Sequence, residues 1–248
     1  MKALILAGGR GSRLGSLREQ HAAPKPLLEV GGKRLIDFSL QNAVAIGVTE
    51  IIVVVSAFTE AVINHYGSAY RGTPIRYKIQ NEPHGVVHAI ECAAGALDGA
   101  DFMLMLADEI VIDANHAAMV ARFQREQLFA VLGVVAVEDS AQIKKTYSIL
   151  EDSGSGRIQR LVEKPRRPHN NVMGTGNCVF KADVLSYIDL CPINQVRGEK
   201  ELPDLIQCAI DDGHPVKTEH VGKRYVNVNE SEDFRAAFAV LTEHAARF

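Results

Sequence analysis

The chain has 248 residues, 47% of them hydrophobic, and sets 27 Lys and Arg against 30 Asp and Glu, a formal net charge of −3. That is enough for one sizeable core with a small appended lobe, and the charges are interspersed rather than gathered into the basic stripe a nucleic acid needs. No apolar run approaches the ~18 residues of a membrane span, which argues against a membrane partner. Met1 leads almost at once into a strand without the apolar stretch of a secretory leader, so a cytoplasmic location is expected. Cys92, Cys178, Cys191 and Cys208 are scattered without a C-x-x-C pair and read as reduced core thiols.

In chain order, a short apolar strand at Ala3 to Ala7 empties into Gly8-Gly9-Arg10-Gly11-Ser12-Arg13. Leu35 to Ala45 has helical spacing and stops at Gly47, Glu50 to Val55 reads as a buried strand, and Glu60 to Tyr66 as a short helix. A strand at Ile75 to Ile79, a helix near Val87 to Leu97 and a strand at Phe102 to Leu106 follow. A helix covers about Asn115 to Glu126, and Phe129 to Val137 is another continuous apolar strand. Unbroken apolar strands between helices predict a mostly parallel sheet covered on both faces. Such sheets bind ligands beyond the carboxyl ends of their strands, so the opening glycines and Leu106-Ala107-Asp108-Glu109 should meet in space.

From Thr146 the texture changes. Tyr147 to Glu151 and Arg157 to Val162 read as short strands joined by Asp152-Ser153-Gly154-Ser155-Gly156. A strand at Val172 to Phe180, helices near Ala182 to Ile188 and Glu201 to Asp212, strands near Val216 to Val221 and Tyr225 to Val228, and a helix from Glu230 to about Ala246 complete the chain. One domain, 1–248, is expected, with a nucleotide-binding part at about 1–137 and an acceptor-binding part at about 138–248.

The chemistry starts with the glycines. Without a Cβ, Gly8-Gly9-x-Gly11 can take positive φ and let backbone N–H groups converge on an anion. Arg13 then offers a fork for two phosphate oxygens and Lys25, in Pro24-Lys25-Pro26, a point charge. Asp108, at the carboxyl end of an apolar strand, has the oxygen ligands that Mg²⁺ prefers; Glu109 ranks below it because successive residues face apart.

Leu6-Ala7-Gly8-Gly9-Arg10-Gly11-Ser12-Arg13-Leu14, followed by Pro24-Lys25-Pro26-Leu27-Leu28-Glu29-Val30, resembles the signature of the sugar-1-phosphate nucleotidyltransferases, or NDP-sugar pyrophosphorylases. Ser12 stands where that family usually has Thr, and Gly15-Ser16 where it usually has x-Pro. The resemblance implies an α/β, Rossmann-like three-layer α/β/α fold with a mostly parallel mixed sheet and a small acceptor-binding lobe. It also implies a Mg²⁺-dependent enzyme that joins an NTP to a sugar 1-phosphate or similar small phosphate and releases pyrophosphate, with homo-oligomerisation left open.

By that resemblance, Leu6, Ala7, Gly8, Gly9, Gly11, Ser12, Arg13 and Lys25 bind the nucleotide, and Gln80 and Gly85 read a pyrimidine, weakly favouring UTP or dTTP. Asp108 and Asn227 hold the metal, with Asn229 the fallback. Glu163 and Lys164 in Glu163-Lys164-Pro165, together with Gly176, Asn177 and Glu199, form the acceptor set, Lys164 gripping its phosphate. Arg13, Lys25, Asp108 and Lys164 are thus the expected catalytic residues. Tyr147-Ser148 replaces the Tyr-Gly common in relatives, which leaves open a modified sugar or cyclitol phosphate as acceptor, with CTP, GTP or ATP as donor. His88 matches a pattern in several relatives and is expected to pack at the helix start; His84 has no assigned role.

Three other readings are weaker. Gly9-Arg10-Gly11 begins like a dinucleotide fingerprint, but the third glycine position is Leu14 and Val55-Ser56 supplies no acidic residue for a ribose; a P-loop lacks its GK[ST]. A catalytically inactive regulatory homologue is opposed by the retention of Arg13, Lys25, Asp108 and Lys164.

Overall fold

The computed structural model describes residues 1–9, 11–15 and 23–246. Arg10 and Ser16 of the opening stretch lie outside the described residues. The elements are β1 (Lys2–Leu6), α1 (Leu35–Ala45), β2 (Ile51–Val55), α2 (Ala61–Tyr66), β3 (Thr73–Ile79), α3 (Gly85–Leu97), β4 (Phe102–Leu106), β5 (Glu109–Ile112), α4 (His116–Arg125), β6 (Ala130–Ala136), β7 (Tyr147–Glu151), β8 (Ile158–Glu163), β9 (Val172–Phe180), α5 (Leu202–Asp211), β10 (Val216–His220), β11 (Arg224–Asn227) and α6 (Ser231–Ala245), with two-residue strands and 3₁₀ turns between them.

The unbroken apolar runs have the cause expected of them. Leu4, Ile52 and Val54 face one cluster with Val87, Ile90 and Ala93 of α3 and Leu205 and Ile206 of α5. Ala3, Ile5 and Val53 face the other, against Ile36 and Leu40 of α1 and Met119 and Phe123 of α4. Every residue of β2 is buried, because neither face meets water. Each Ile or Val so covered contributes roughly 1.5–3 kcal/mol relative to exposure, which selects against polar alternation. A third apolar cluster, Leu14, Leu28, Val30, Leu35, Ile110, Ile112, Val228 and Ala237, ties the opening loops to β5, β11 and α6.

The helix expected at Ala182 to Ile188 is instead a 3₁₀ turn, Ala182–Tyr187. Pro192 follows closely, and so short a segment gains too few hydrogen bonds to offset helix nucleation.

The sheet is mixed. β1 runs parallel to β2 and β4, β2 to β3, and β6 to β10, whereas β9 is antiparallel to β4, β6 and β7. Strand β9 makes the sheet fork. One of its edges stays on β6 from Val172 to Phe180. Along the other edge, Cys178 to Phe180 pair with Leu104 to Phe102 of β4, but Met173 pairs with Ser148 of β7. The register shifts between Gly174 and Cys178, a β-bulge of the kind that re-aims side chains and interrupts pairing. The hairpin β7–β8 therefore continues the sheet past the carboxyl end of β4, and Thr175-Gly176-Asn177 lies at the crotch of the fork.

Candidate active site

Local geometry delivers the polar groups to that crotch. Strand β1 ends in register with β4, Leu6 beside Leu106, and the Ala107 N–H donates to the Leu6 carbonyl at 3.0 Å. The opening loop and Asp108 are therefore neighbours. Gly11 takes φ 60 and caps the 3₁₀ turn Ser12–Leu14, whereas Gly8 and Gly9 are not among the positive-φ glycines. Pro24 and Pro26 frame a second 3₁₀ turn, Lys25–Leu27, which carries Lys25 inward. After Asp108 the chain becomes β5, which pairs antiparallel with β11 so that Asn227 lies opposite Glu109. The Val228 N–H donates to the Asp108 carbonyl at 2.9 Å, which brings Asn227 and Asn229 to the same place.

The result is a compact charged knot. The Lys25 ammonium, only 8% exposed, pairs with Asp108 Oδ2 and donates to Asn229 Oδ1 at 3.1 Å. Asn229 Nδ2 in turn donates to Asn227 Oδ1 at 2.9 Å. Asn229, the fallback in the sequence reading, presents its oxygen to the cation; the oxygen of Asn227 faces Asn229. Helix α6 is capped next door by Glu230, which forms a capping box with Asp233. Arg13 lies outside the knot, 70% exposed and 4.0 Å from Glu230, a pairing worth little in water.

Two oxygens already converge on one positive charge, and the donors are hard. Among the described residues no three His, Cys, Asp or Glu side chains group to hold a metal. One carboxylate with amide oxygens fits a Mg²⁺ ion that keeps waters and phosphate oxygens in its shell, rather than one caged by protein.

Glu109 does different work from its neighbour. It is 5% exposed, accepts from the Gly176 N–H at 2.9 Å and the Asn177 amide at 2.8 Å, and receives the Tyr225 hydroxyl. Burial pushes its carboxyl up to about 8, opposed by the Tyr225 and Gly176 donors. This is the residue sequence reasoning undervalued: it pins the β9 bulge to β5. The available signal was a charged residue opening the otherwise apolar run Glu109-Ile110-Val111-Ile112.

Gly176 has no room for a side chain, since a Cβ would lie 2.4 Å from Leu106 Cγ. Asn177, expected at the acceptor, has its amide committed to Glu109 and its oxygen 2.8 Å from His116 Nε2. Burial lowers the His116 pKa, opposed by the bond to Asn177.

The remaining acceptor candidates gather at the open end of β8. Arg197 Nη1 lies 2.9 Å from Glu201, 3.5 Å from Glu163 and 3.9 Å from Glu199. Lys164 Nζ is 3.4 Å from Glu163, and Lys164 itself sits at φ 44, a backbone region costly for a residue with a side chain. Burial first, then the Glu201 charge, push Glu163 up to about 8, with Arg197 pulling it down. Glu199 reaches across the fork. A Cβ on Gly85, where φ is +87, would lie 2.7 Å from Glu199 Oε2, so only glycine lets α3 begin beneath that carboxylate. Gln80 is buried beside Gly85, its Nε2 donating to the Gly85 carbonyl at 3.2 Å.

A glycine loop at the carboxyl ends of the parallel strands, a buried Lys25–Asp108 pair beside it and a second basic residue across a fork make up the candidate site of this α/β protein. The chain belongs to the nucleotidyl transferase family, whose model matches residues 2–241. It is 33% identical to a UTP–glucose-1-phosphate uridylyltransferase, AglF, of Haloferax volcanii, over 94% of this chain and 93% of that protein. It is 28% identical to a glucose-1-phosphate thymidylyltransferase of Streptomyces griseus, over 88% of this chain and 59% of that one. A UDP-glucose pyrophosphorylase crystallised with UDP-glucose shares the fold, with a TM-score of 0.85, 18% identity and 98% coverage of both chains. No helix among the described residues is long and apolar enough to cross a membrane.

Proposed function

We propose that this chain joins UTP or dTTP to a sugar 1-phosphate, forming an NDP-sugar and pyrophosphate. The observation that carries the reading is the Lys25–Asp108–Asn229 knot at the mouth of the glycine loop, on one side of a fork whose other side carries Lys164. An acceptor phosphate oxygen attacks the α-phosphorus as the bond to the pyrophosphate oxygen breaks, so the protein needs no nucleophile of its own. Its work is positioning and charge compensation.

Lys25 leaves Asp108 for the triphosphate and then holds the departing pyrophosphate, with the exposed Arg13 closing on it from outside. Asp108 and Asn229, with Asn227 behind, are the residues that would hold Mg²⁺, which when bound offsets phosphate charge. Lys164 holds the acceptor phosphate and Glu163 and Glu199 its hydroxyls.

A second reading keeps the reaction and changes the acceptor. Ser148 Oγ is buried without a hydrogen-bond partner among the described residues, in β7 beside Met173 of β9. A hydroxyl in that state favours an acceptor with a polar group of its own there, such as a modified sugar or cyclitol phosphate.

Pyrophosphate release measured across UTP, dTTP, CTP, GTP and ATP, each with glucose 1-phosphate, other sugar 1-phosphates and a cyclitol phosphate, tests both. The first reading expects UTP or dTTP with a sugar 1-phosphate to stand out. Release with a cyclitol phosphate alone supports the second, and no release from any pair contradicts both.

A further inference from the structure

Gln80 is 3% exposed, and its amide has little freedom. Nε2 donates to the Gly85 carbonyl at 3.2 Å and lies 3.0 Å from His88 Nδ1. The carbonyl can only accept, which fixes the amide's NH₂ on that side, and its two hydrogens are then spent on Gly85 and His88. His88 Nδ1 must therefore be the bare, accepting nitrogen. The proton is left on Nε2, 3.7 Å from Cys92 Sγ, one turn further along α3. Gln80 Oε1 accepts nothing among the described residues, and it lies 3.2 Å from where a Cβ on Gly8 would be. A nearly buried carbonyl oxygen without a donor is thus aimed at the glycine loop.

We propose that His88, held as the Nε2–H tautomer, is a positioning residue that turns Gln80 so that only its oxygen faces the nucleotide crevice, and so makes the site select a pyrimidine carrying N3–H over one without it. Uracil and thymine have that hydrogen and cytosine has a bare acceptor there, which would meet Oε1 lone pair to lone pair. This deepens the nucleotide reading above and rests on it. Gln80 reads the base from one atom, and the choice of atom is made by a side chain that never touches the base.

The test uses the full chain with Mg²⁺ and no acceptor, measuring calorimetric affinities for UTP, CTP and N3-methyl-UTP, alongside two-bond ¹H–¹⁵N spectra of the histidines in the nucleotide-free protein. UTP should bind about tenfold or more tightly than either analogue, and His88→Leu should narrow that gap to about threefold by weakening UTP. The His88 spectrum should report the Nε2–H tautomer, the form that the contact with the Gln80 amide requires. A gap unchanged in His88→Leu, CTP binding as well as UTP, or the Nδ1–H tautomer would overturn the proposal while leaving nucleotide binding intact. If none of the three nucleotides binds, the underlying reading fails with it. Should His88→Leu not fold, the wild-type tautomer and the N3-methyl-UTP affinity decide.

Discussion

The two sides of the fork are built differently. On the side proposed to take the nucleotide the polar groups are buried and, Gln80 Oε1 apart, paired: Lys25 with Asp108 and Asn229, Glu109 with Gly176, Asn177 and Tyr225, and the Gln80 amide nitrogen with Gly85 and His88. On the side proposed to take the acceptor, Glu163, Glu199 and Glu201 share one guanidinium, and the Thr146 and Ser148 hydroxyls are buried without partners among the described residues. A paired network is rigid and ready for one ligand, whereas crowded like charges and orphan hydroxyls are costly until a ligand completes them. Under the proposed function, the paired side would serve the reaction and the crowded side its variable half.

Each side of that comparison can be pressed separately. Asp108→Asn keeps an oxygen for Lys25 but removes the negative charge, so turnover should fall by ~10³-fold or more with the circular dichroism spectrum unchanged. Retained turnover would mean the knot is only structural. Glu109→Ala strands the buried Gly176 N–H and Asn177 amide and should cost about 3 kcal/mol in denaturant unfolding, loosening the bulge on which both sides depend. A loss under 1 kcal/mol would show that the bulge holds itself.

On the acceptor side the expected effects are smaller and pH-dependent. Glu163 is raised from 4.5 to about 8, so the fold keeps its proton where the unfolded chain has lost it. Its contribution is fully present below pH 4.5 and is lost as pH rises through 8. Glu163→Gln should match the wild type in stability at pH 4 and exceed it at pH 9 by on the order of 2 kcal/mol. Equal pH slopes would remove the crowding from the account. Ser148→Ala, which deletes an unpartnered hydroxyl, should raise stability by about 1 kcal/mol while weakening any acceptor that used it.

Much of this was legible in the sequence because it depends on local rules. The strand bounds Phe102–Leu106, Tyr147–Glu151 and Val172–Phe180 follow from unbroken apolar runs and turn residues, and the glycine loop with Lys25 and Asp108 follows from chain order in a parallel sheet. What stayed hidden depends on pairing between distant segments. Nothing in the run Val172–Phe180 says that one edge changes neighbours halfway, so the fork was invisible, and with it the task of Glu109. The pairing of Lys25 with Asp108 was equally out of reach, because the residues are 83 positions apart and each has a sufficient reason to be present alone. Asn227 and Asn229 are separated only by the geometry of β11 running into α6.

Steady-state kinetics of Lys25→Met and Lys164→Met, with nucleotide and acceptor varied independently, test the division most directly. Lys25→Met should raise the KM for the nucleotide by about 10- to 100-fold and leave that of the acceptor near its wild-type value, while Lys164→Met should do the reverse. If both variants shift the two constants together, or if Lys164→Met weakens only the nucleotide, the fork does not separate donor from acceptor and the account is wrong.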